Sequence, residues 1–238
     1  MNPASQSIEL HLLPVTLGEE APISTLCAQE LELIQSLSLF FVENERSARR
    51  FLRKAGFTAS FDDTEIIRID KDSKASDIKD AIATLSKKGK AGLLSEAGCP
   101  GIADPGSALV QAAHRQGFTV IPYPGPSSIF LTLMASGMNG QQFRFHGYLP
   151  IDGLERSKRI RQLEEEVQKT GTTQLFIETP YRNNALLNDL LKVCRDQTRL
   201  CIGLNLTLPE ASVQTRSIQQ WKTSTPDLHK KLVVFALG

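Results

Sequence analysis

Through the first half of the chain, short apolar runs rich in Ile, Val, Leu and Phe alternate with stretches whose apolar residues recur at helical spacing. That alternation predicts a parallel sheet covered by helices. The runs at 8–15, 39–43, 65–69, 91–95 and 119–123 read as strands, and 24–36, 45–55, 76–88 and 107–116 read as helices. Gly56, Gly89 and Gly117 stand just after three of those helices, where a residue without a Cβ ends a helix most easily.

The pattern breaks at residues 123–126, YPGP, because each proline lacks an N–H and restricts the residue before it. The break suits a hinge, with Pro126 in the first turn of a helix running to about Gly137. Beyond it, strand-like runs at 142–148, 172–179, 200–207, 212–217 and 232–237 are separated by only two long helical patterns. Neighbouring late strands with short links imply a mixed sheet. The expected organisation is therefore two α/β domains, residues 1–123 with a mostly parallel, doubly wound sheet and residues 124–238 with a mixed one.

Composition adds limits. With 238 residues, 41% hydrophobic and 22% charged, the chain is long enough for two packed cores. Cys27, Cys99, Cys194 and Cys201 are too scattered for a disulfide framework or a paired metal knuckle, which favours a reducing compartment. Met1 is followed by polar residues, and no apolar run reaches the roughly 18 residues of a membrane span, so a cytoplasmic protein with no membrane partner is expected. His11, His114, His146 and His229 show no ligand spacing, and no bound metal is expected. A net charge of +1 does not mark the whole chain as a nucleic-acid binder.

The most informative stretch is LLSEAGCPGIADPG at 93–106, which leaves a buried strand, crosses a glycine- and proline-rich loop and enters a helix. In an open α/β sheet such loops lie beyond the carboxyl ends of strands, where small residues let a ligand approach the backbone. A tight strand-to-helix turn is the plain alternative. No Gly-Lys-Ser/Thr follows and no G-x-G-x-x-G is present, which disfavours a phosphate loop and a nucleotide-dependent oxidoreductase.

SEAGCPGIADPG followed about twenty residues later by PYPGPSSIFLTLMASG closely resembles the tetrapyrrole-methylase superfamily. FRFHGYLP at 143–150 and LFIETPYRNNALLNDL at 175–190 continue the likeness, in order and spacing, toward its branch of small-subunit ribosomal RNA methyltransferases. The resemblance implies S-adenosyl-L-methionine as cofactor, held between two domains, and a homodimer. It further implies that the loop at Pro14 forms one wall of the cofactor cleft. Ala97, Gly98, Pro100, Gly101 and Ile102 would hold the methionine part, and Ser127 and Ser128 would contact it, their plain role being helix capping. Ile177 and Glu178 on one strand, and Asn205, Leu206 and Thr207 on another, would meet the adenine end; Ile177 and Leu206 are otherwise ordinary core residues.

A sulfonium methyl donor is already activated, so the protein must chiefly align the acceptor. A ribose 2′-OH acceptor would gain from a general base. The segment matching the branch's Glu-Asp-Thr-Arg reads Glu43, Asn44, Glu45, Arg46, leaving Glu43, Glu45 and Arg46 as catalytic candidates, since Asn44 is no carboxylate. The segment 69–74, IDKDSK, also departs from the branch, which carries His and Asn there. Arg46, Arg49, Arg50 and Arg53 form one stripe at i, i+3, i+4, i+7, either a solvated face or a contact to RNA phosphates. Arg156, Lys158, Arg159 and Arg161 form a second basic cluster with the same two readings. Glu178, near Arg182, is either a helix-start anion or an orienting group. The leading expectation is methylation of ribosomal RNA ribose; methylation of a tetrapyrrole or other small metabolite, and a non-catalytic cofactor-binding paralogue, stand as alternatives.

Overall fold

A computed structural model describes residues 7–238, so the reading of the first residues lies outside the described ones. The chain divides into two compact units, Met1–Ser127 and Ser128–Gly238.

In the first unit the strands are β1 (Glu9–Leu13), β2 (Leu39–Val42), β3 (Glu65–Arg68), β4 (Lys90–Leu94) and β5 (Thr119–Pro122). They pair in the order β3-β2-β4-β1-β5, all parallel. The helices are α1 (Ala28–Ser36), α2 (Glu45–Lys54), α3 (Ala75–Lys88) and α4 (Ser107–Arg115). Strand side chains alternate between the two faces. Leu13, Phe40, Val42 and Leu94 pack with Ile34 of α1 and Phe51 and Leu52 of α2. Leu10, Leu39, Phe41 and Leu93 pack with Leu85 of α3 and Leu109 of α4. The doubly wound expectation holds, with strand limits within two residues and only the first helix differing: its first turn is a separate 3-10 helix, Ile23–Thr25, and α1 begins at Ala28. Gly56, Gly89 and Gly117 all take positive φ, between 71° and 86°, just past α2, α3 and α4.

In the second unit, β6 (Phe143–Tyr148), β7 (Thr173–Ile177), β8 (Arg199–Leu204), β9 (Ser212–Ser217) and β10 (Val233–Leu237) form a sheet in the order β6-β7-β10-β8-β9. Only β6 and β7 are parallel; the remaining pairs are antiparallel, the mixed sheet the sequence implied. α6 (Gly153–Thr170), α7 (Asn183–Val193) and the short α8 (Ile218–Thr223) cover one face around Phe176, Phe235 and Trp221. α5 (Ser128–Ser136) covers the other through Ile129 and Leu133. α5 lies so close to the sheet that a Cβ on Gly203 would fall 2.2 Å from Thr132 Oγ1. The helix starts two residues later than Pro126, which is buried ahead of it. No helix among the described residues is long and apolar enough to cross a membrane.

Candidate functional site

In the first unit, β1 leads to α1 on one face of the sheet while its neighbour β4 leads to α4 on the other. The carboxyl ends of β1 and β4 therefore flank the point where the winding reverses, the usual ligand position in such sheets. Three loops meet there. Val15 and Gly98 form an antiparallel bridge, Val15 N–H donating to Gly98 O at 2.9 Å and Gly98 N–H to Val15 O at 3.2 Å. Ser95 Oγ donates to the same Gly98 carbonyl at 3.1 Å. Gly125 presses on Pro14 so closely that a Cβ there would lie 2.2 Å from Pro14 Cβ. Cys99 Sγ turns toward the carbonyls of Gly125 and Pro126, at 3.9 and 3.6 Å.

This packing divides the predicted loop by function. Gly98 and Pro100 are buried, and the backbone groups of Gly98 are engaged within the protein. Ala97, Gly101 and Ile102 are exposed, with Ile102 44% accessible. Gly98 and Gly101 take φ values of 74° and 78°, and Ala103 is held at 63°, a conformation that side chains with a Cβ rarely adopt. Such strain concentrates at ligand-binding turns. Ser127 and Ser128 follow directly and are half-buried.

The same edge of the sheet carries carboxylates. Glu43 follows β2, Glu96 follows β4, and Asp104 lies further along the same loop. Glu43 Oε2 is buried without a hydrogen-bond partner. Burial raises Glu43 above the ordinary carboxylate range, helped by the charges of Glu96 and Asp70. Burial likewise pushes Asp104 up to about 7, assisted by the charges of Glu43 and Glu96. Glu96 accepts a hydrogen bond from Ser47 Oγ on α2. A cluster that holds a proton near neutral pH is suited to acid–base work. Among the described residues, no group of three or more His, Cys, Asp or Glu side chains is arranged to hold a metal ion.

Of the three catalytic candidates, only Glu43 has this environment. Glu45 is half-exposed and pairs with Arg49 at 3.6 Å, and Arg46 is exposed. Asn44 caps α2, its Oδ1 accepting from Arg46 N–H at 2.9 Å and Ser47 N–H at 3.3 Å. Aspartate and asparagine cap about equally well, so the departure at this position preserves the local fold. The 69–74 segment is a self-contained turn: Asp70 N–H donates to Ser73 Oγ at 2.8 Å, and Asp70 Oδ1 accepts from Asp72 N–H at 2.9 Å.

The arginine stripe on α2 is not uniform. Arg53 stacks 4.2 Å from the Phe61 ring centroid and donates to Phe57 O at 2.5 Å, and Arg49 lies 5.2 Å from the same Phe61 ring. Arg50 pairs with Glu19 at 2.6 Å while 54% exposed. Arg49 and Arg50 are thus paired but not buried. In the second cluster, Arg156 is buried on Asp189 at 2.6 Å and donates to Ile151 O at 2.8 Å, while Arg159 donates to His146 Nδ1 at 3.1 Å. Lys158 and Arg161 remain exposed. Arg156 is therefore a packing residue of α6.

In the second unit, β7 and β8 flank β10 and both run antiparallel to it, so their carboxyl ends lie on one edge of the sheet, two strand spacings apart. At that edge Glu178, its side chain fully buried, accepts from Thr179 N–H at 2.6 Å and Arg182 Nη2 at 2.6 Å, all through Oε1. Its Oε2 is buried and unpartnered. One oxygen thus anchors the start of α7 and the other is left over. Residues 205–207 are not strand, as expected from sequence, but a turn following β8, because Asn205 and Thr207 take φ of 45° and 70°. Asn205 fixes the turn through Leu232, accepting its N–H at 2.9 Å and donating its own N–H to Leu232 O at 2.8 Å. Thr207 Oγ1 is buried without a partner. A β-branched residue at positive φ with an unsatisfied hydroxyl is a strained, ligand-ready feature.

Asp104, Glu96 and Ser47 escaped the sequence reading, which weighed the glycines and prolines of 93–106 but not its carboxylates. For Glu96 and Asp104 the signal was present, an acidic residue in a loop already marked for ligand contact; Ser47, on α2, carried none.

Two α/β units of this kind recur in methyltransferases of known structure. The methyltransferase CobJ superposes with a TM-score of 0.62, covering 97% of this chain and 92% of that one at 15% identity. The cobalt precorrin-4 methyltransferase CbiF superposes with a TM-score of 0.59, covering 100% and 98% at 12% identity. At such identities the likeness establishes the fold. The sequence profile of the family Tetrapyrrole (Corrin/Porphyrin) Methylases matches residues 25–220, and the chain belongs to that family. Among its relatives, a Ribosomal RNA small subunit methyltransferase I from Vibrio cholerae is 29% identical over 205 residues, 86% of this chain and 67% of that one. The protein of that name from Borrelia garinii subsp. bavariensis is 29% identical over 74% of this chain and 75% of its own. That from Halalkalibacterium halodurans is 38% identical, over 45% of this chain. The match spans only 38% of the length of the Halalkalibacterium protein.

Proposed function

We propose that this protein transfers a methyl group from S-adenosyl-L-methionine to a ribose hydroxyl of small-subunit ribosomal RNA, acting in the cytoplasm. The observation that carries the reading is the run of relatives, from several bacteria, bearing one name, Ribosomal RNA small subunit methyltransferase I.

The residues present fit the cofactor. The exposed backbone at Ala97, Gly101 and Ile102, beside Pro14 and Ser127–Ser128, suits the methionine part, whose ammonium and carboxylate need polar backbone groups at close approach. The edge formed by Ile177, Glu178, Asn205, Leu206 and Thr207 suits adenine, offering apolar contact together with the unpartnered Glu178 Oε2 and Thr207 Oγ1. When bound, the cofactor supplies an activated sulfonium methyl, so the protein's tasks are alignment and removal of the acceptor proton. Glu43 is the proton acceptor in this reading. Its unpartnered buried oxygen gives it an accepting lone pair, and neighbouring Asp104 holds a proton near neutral pH that keeps the second negative charge off the pair. Arg46, with Lys158 and Arg161, provides exposed cations for RNA phosphates.

Methylation of a tetrapyrrole or related metabolite is the second reading, favoured by the fold shared with CobJ and CbiF. Nucleoside mass spectrometry of small-subunit RNA after incubation with enzyme and cofactor separates the two. A new 2′-O-methylnucleoside supports the RNA reading. Methylation of uroporphyrinogen alone supports the metabolite reading. Cofactor binding without transfer to either marks a non-catalytic paralogue.

A further inference from the structure

Glu30, in the first turn of α1, is 0% exposed, and neither of its carboxylate oxygens has a hydrogen-bond or ionic partner. Buried acids are ordinarily paired, since an unpaired one loses its hydration with nothing in return. Glu30 shares its helix face with Ile34, the apolar residue one turn on, where leucine would serve the surrounding cluster of Leu26, Ile34 and Tyr123 without that cost. The groups close enough to feel its charge are Cys99 and Tyr123. Cys27, at the start of the same helix, also acts on Tyr123. On the far side of Tyr123, His11, 5.9 Å away ring to ring, is engaged with Glu9, and Lys90 pairs with Glu9 at 3.1 Å. Among the described residues, no cation faces Glu30 itself. Burial alone raises it to about 8, so the folded protein holds it protonated at neutral pH.

Cys99 is the link to the site. Its half-buried side chain points inward at the carbonyls of Gly125 and Pro126, while its neighbours Ala97, Gly101 and Ile102 form the exposed side of the same loop. The buried face of α1 that carries Glu30 packs, through Ile34, in one cluster with Val15 and Leu94, which lead into the two loops joined by the Val15–Gly98 bridge, so Glu30 lies on the core side of the loop that the proposed function gives to the methionine part of the cofactor. A cation bound there approaches an acid that no cation among the described residues neutralises, in surroundings that screen charge poorly.

We propose that Glu30 senses the charge of the bound cofactor, releasing its proton to solvent when the sulfonium of S-adenosylmethionine binds and keeping it when the uncharged thioether product binds. The consequence is selection of substrate over product, since ionised Glu30 attracts the cation and the neutral acid is indifferent to the thioether. This inference rests on the assignment of residues 97–102 to the cofactor.

Calorimetric titration at pH 7 of the wild-type protein with S-adenosylmethionine and with S-adenosylhomocysteine, each in phosphate and in Tris, reads proton release from the difference in heats. Up to one proton is expected for the sulfonium and none for the thioether. Glu30→Gln should release none and lose roughly tenfold of the preference for S-adenosylmethionine, about 1.4 kcal/mol, with S-adenosylhomocysteine affinity unchanged. Glu30→Leu, suited to the apolar surroundings, should behave as Glu30→Gln does. Heats that do not depend on buffer, or proton release that survives in Glu30→Gln, would overturn the proposal while leaving the cofactor assignment intact. Binding of neither molecule to the wild-type protein would overturn both.

Discussion

At the residue scale, the two side chains that depart furthest from expectation have opposite origins. Asn44 sits where a catalytic carboxylate was sought, yet its side chain is consumed by two backbone amides of α2. Asn44→Asp should therefore leave thermal stability within a few tenths of a kcal/mol, whereas Asn44→Ala should cost about 1 kcal/mol, as loss of a cap usually does. Glu30 is the reverse, a buried acid with nothing to hold. Its raised value, about 8, means that the folded state keeps a proton which the unfolded chain has already lost at neutral pH. Its contribution is thus complete below the ordinary carboxylate value, declines as pH rises, and is gone above about pH 8. Urea unfolding of Glu30→Gln should accordingly show a gain over wild type that is larger at pH 9 than at pH 5 by at least ~1 kcal/mol.

At the element scale, α2 separates arginines that build the fold from those free to meet a substrate. Arg53 is fixed against Phe57 and Phe61, and Arg46 projects from the first turn with its side chain exposed. Arg53→Ala should lower stability by about 1–2 kcal/mol through the lost cation–π contacts and hydrogen bond. Arg46→Ala should leave the melting temperature unchanged but weaken binding to small-subunit RNA and reduce its salt dependence, measurable by fluorescence anisotropy across salt concentrations. The stripe itself was legible in the sequence, because helical spacing sets which residues share a face. What each arginine touches was not, because Phe57 and Phe61 come from the loop after α2 and local periodicity does not report how a loop folds back. The same reason explains Arg156, read as a surface cation and found bonded to Asp189 of α7, 33 residues away. Strand and helix positions were legible because their periods of two and of 3.6 are local. The turn at residues 205–207 was missed since an apolar run does not announce a left-handed backbone at Asn205 and Thr207. Asp104 was overlooked because its raised proton affinity arises from its burial in the folded chain, assisted by Glu43 of another loop and Glu96 of its own, and neither burial nor that neighbour is written in the local sequence.

At the scale of the whole molecule, the second unit presents apolar side chains to solvent. Met134 of α5 is 79% exposed and Phe130, 47% exposed, meets Phe143 of β6 edge-on at 6.0 Å. We propose this surface as the homodimer contact, since contiguous exposed apolar groups commonly mark an interface. Met134→Glu should then shift the sedimentation coefficient from dimer to monomer, with the far-ultraviolet circular dichroism retained. Beyond this contact stands the proposed methyl transfer to small-subunit ribosomal RNA. Its most direct test is transfer of tritium from methyl-labelled S-adenosylmethionine to purified small-subunit ribosomal RNA, run with wild type and with Glu43→Gln. Labelled RNA with wild type, and label reduced by roughly 100-fold or more with Glu43→Gln, is the predicted result; unlabelled RNA from a wild-type protein that binds the cofactor would contradict it.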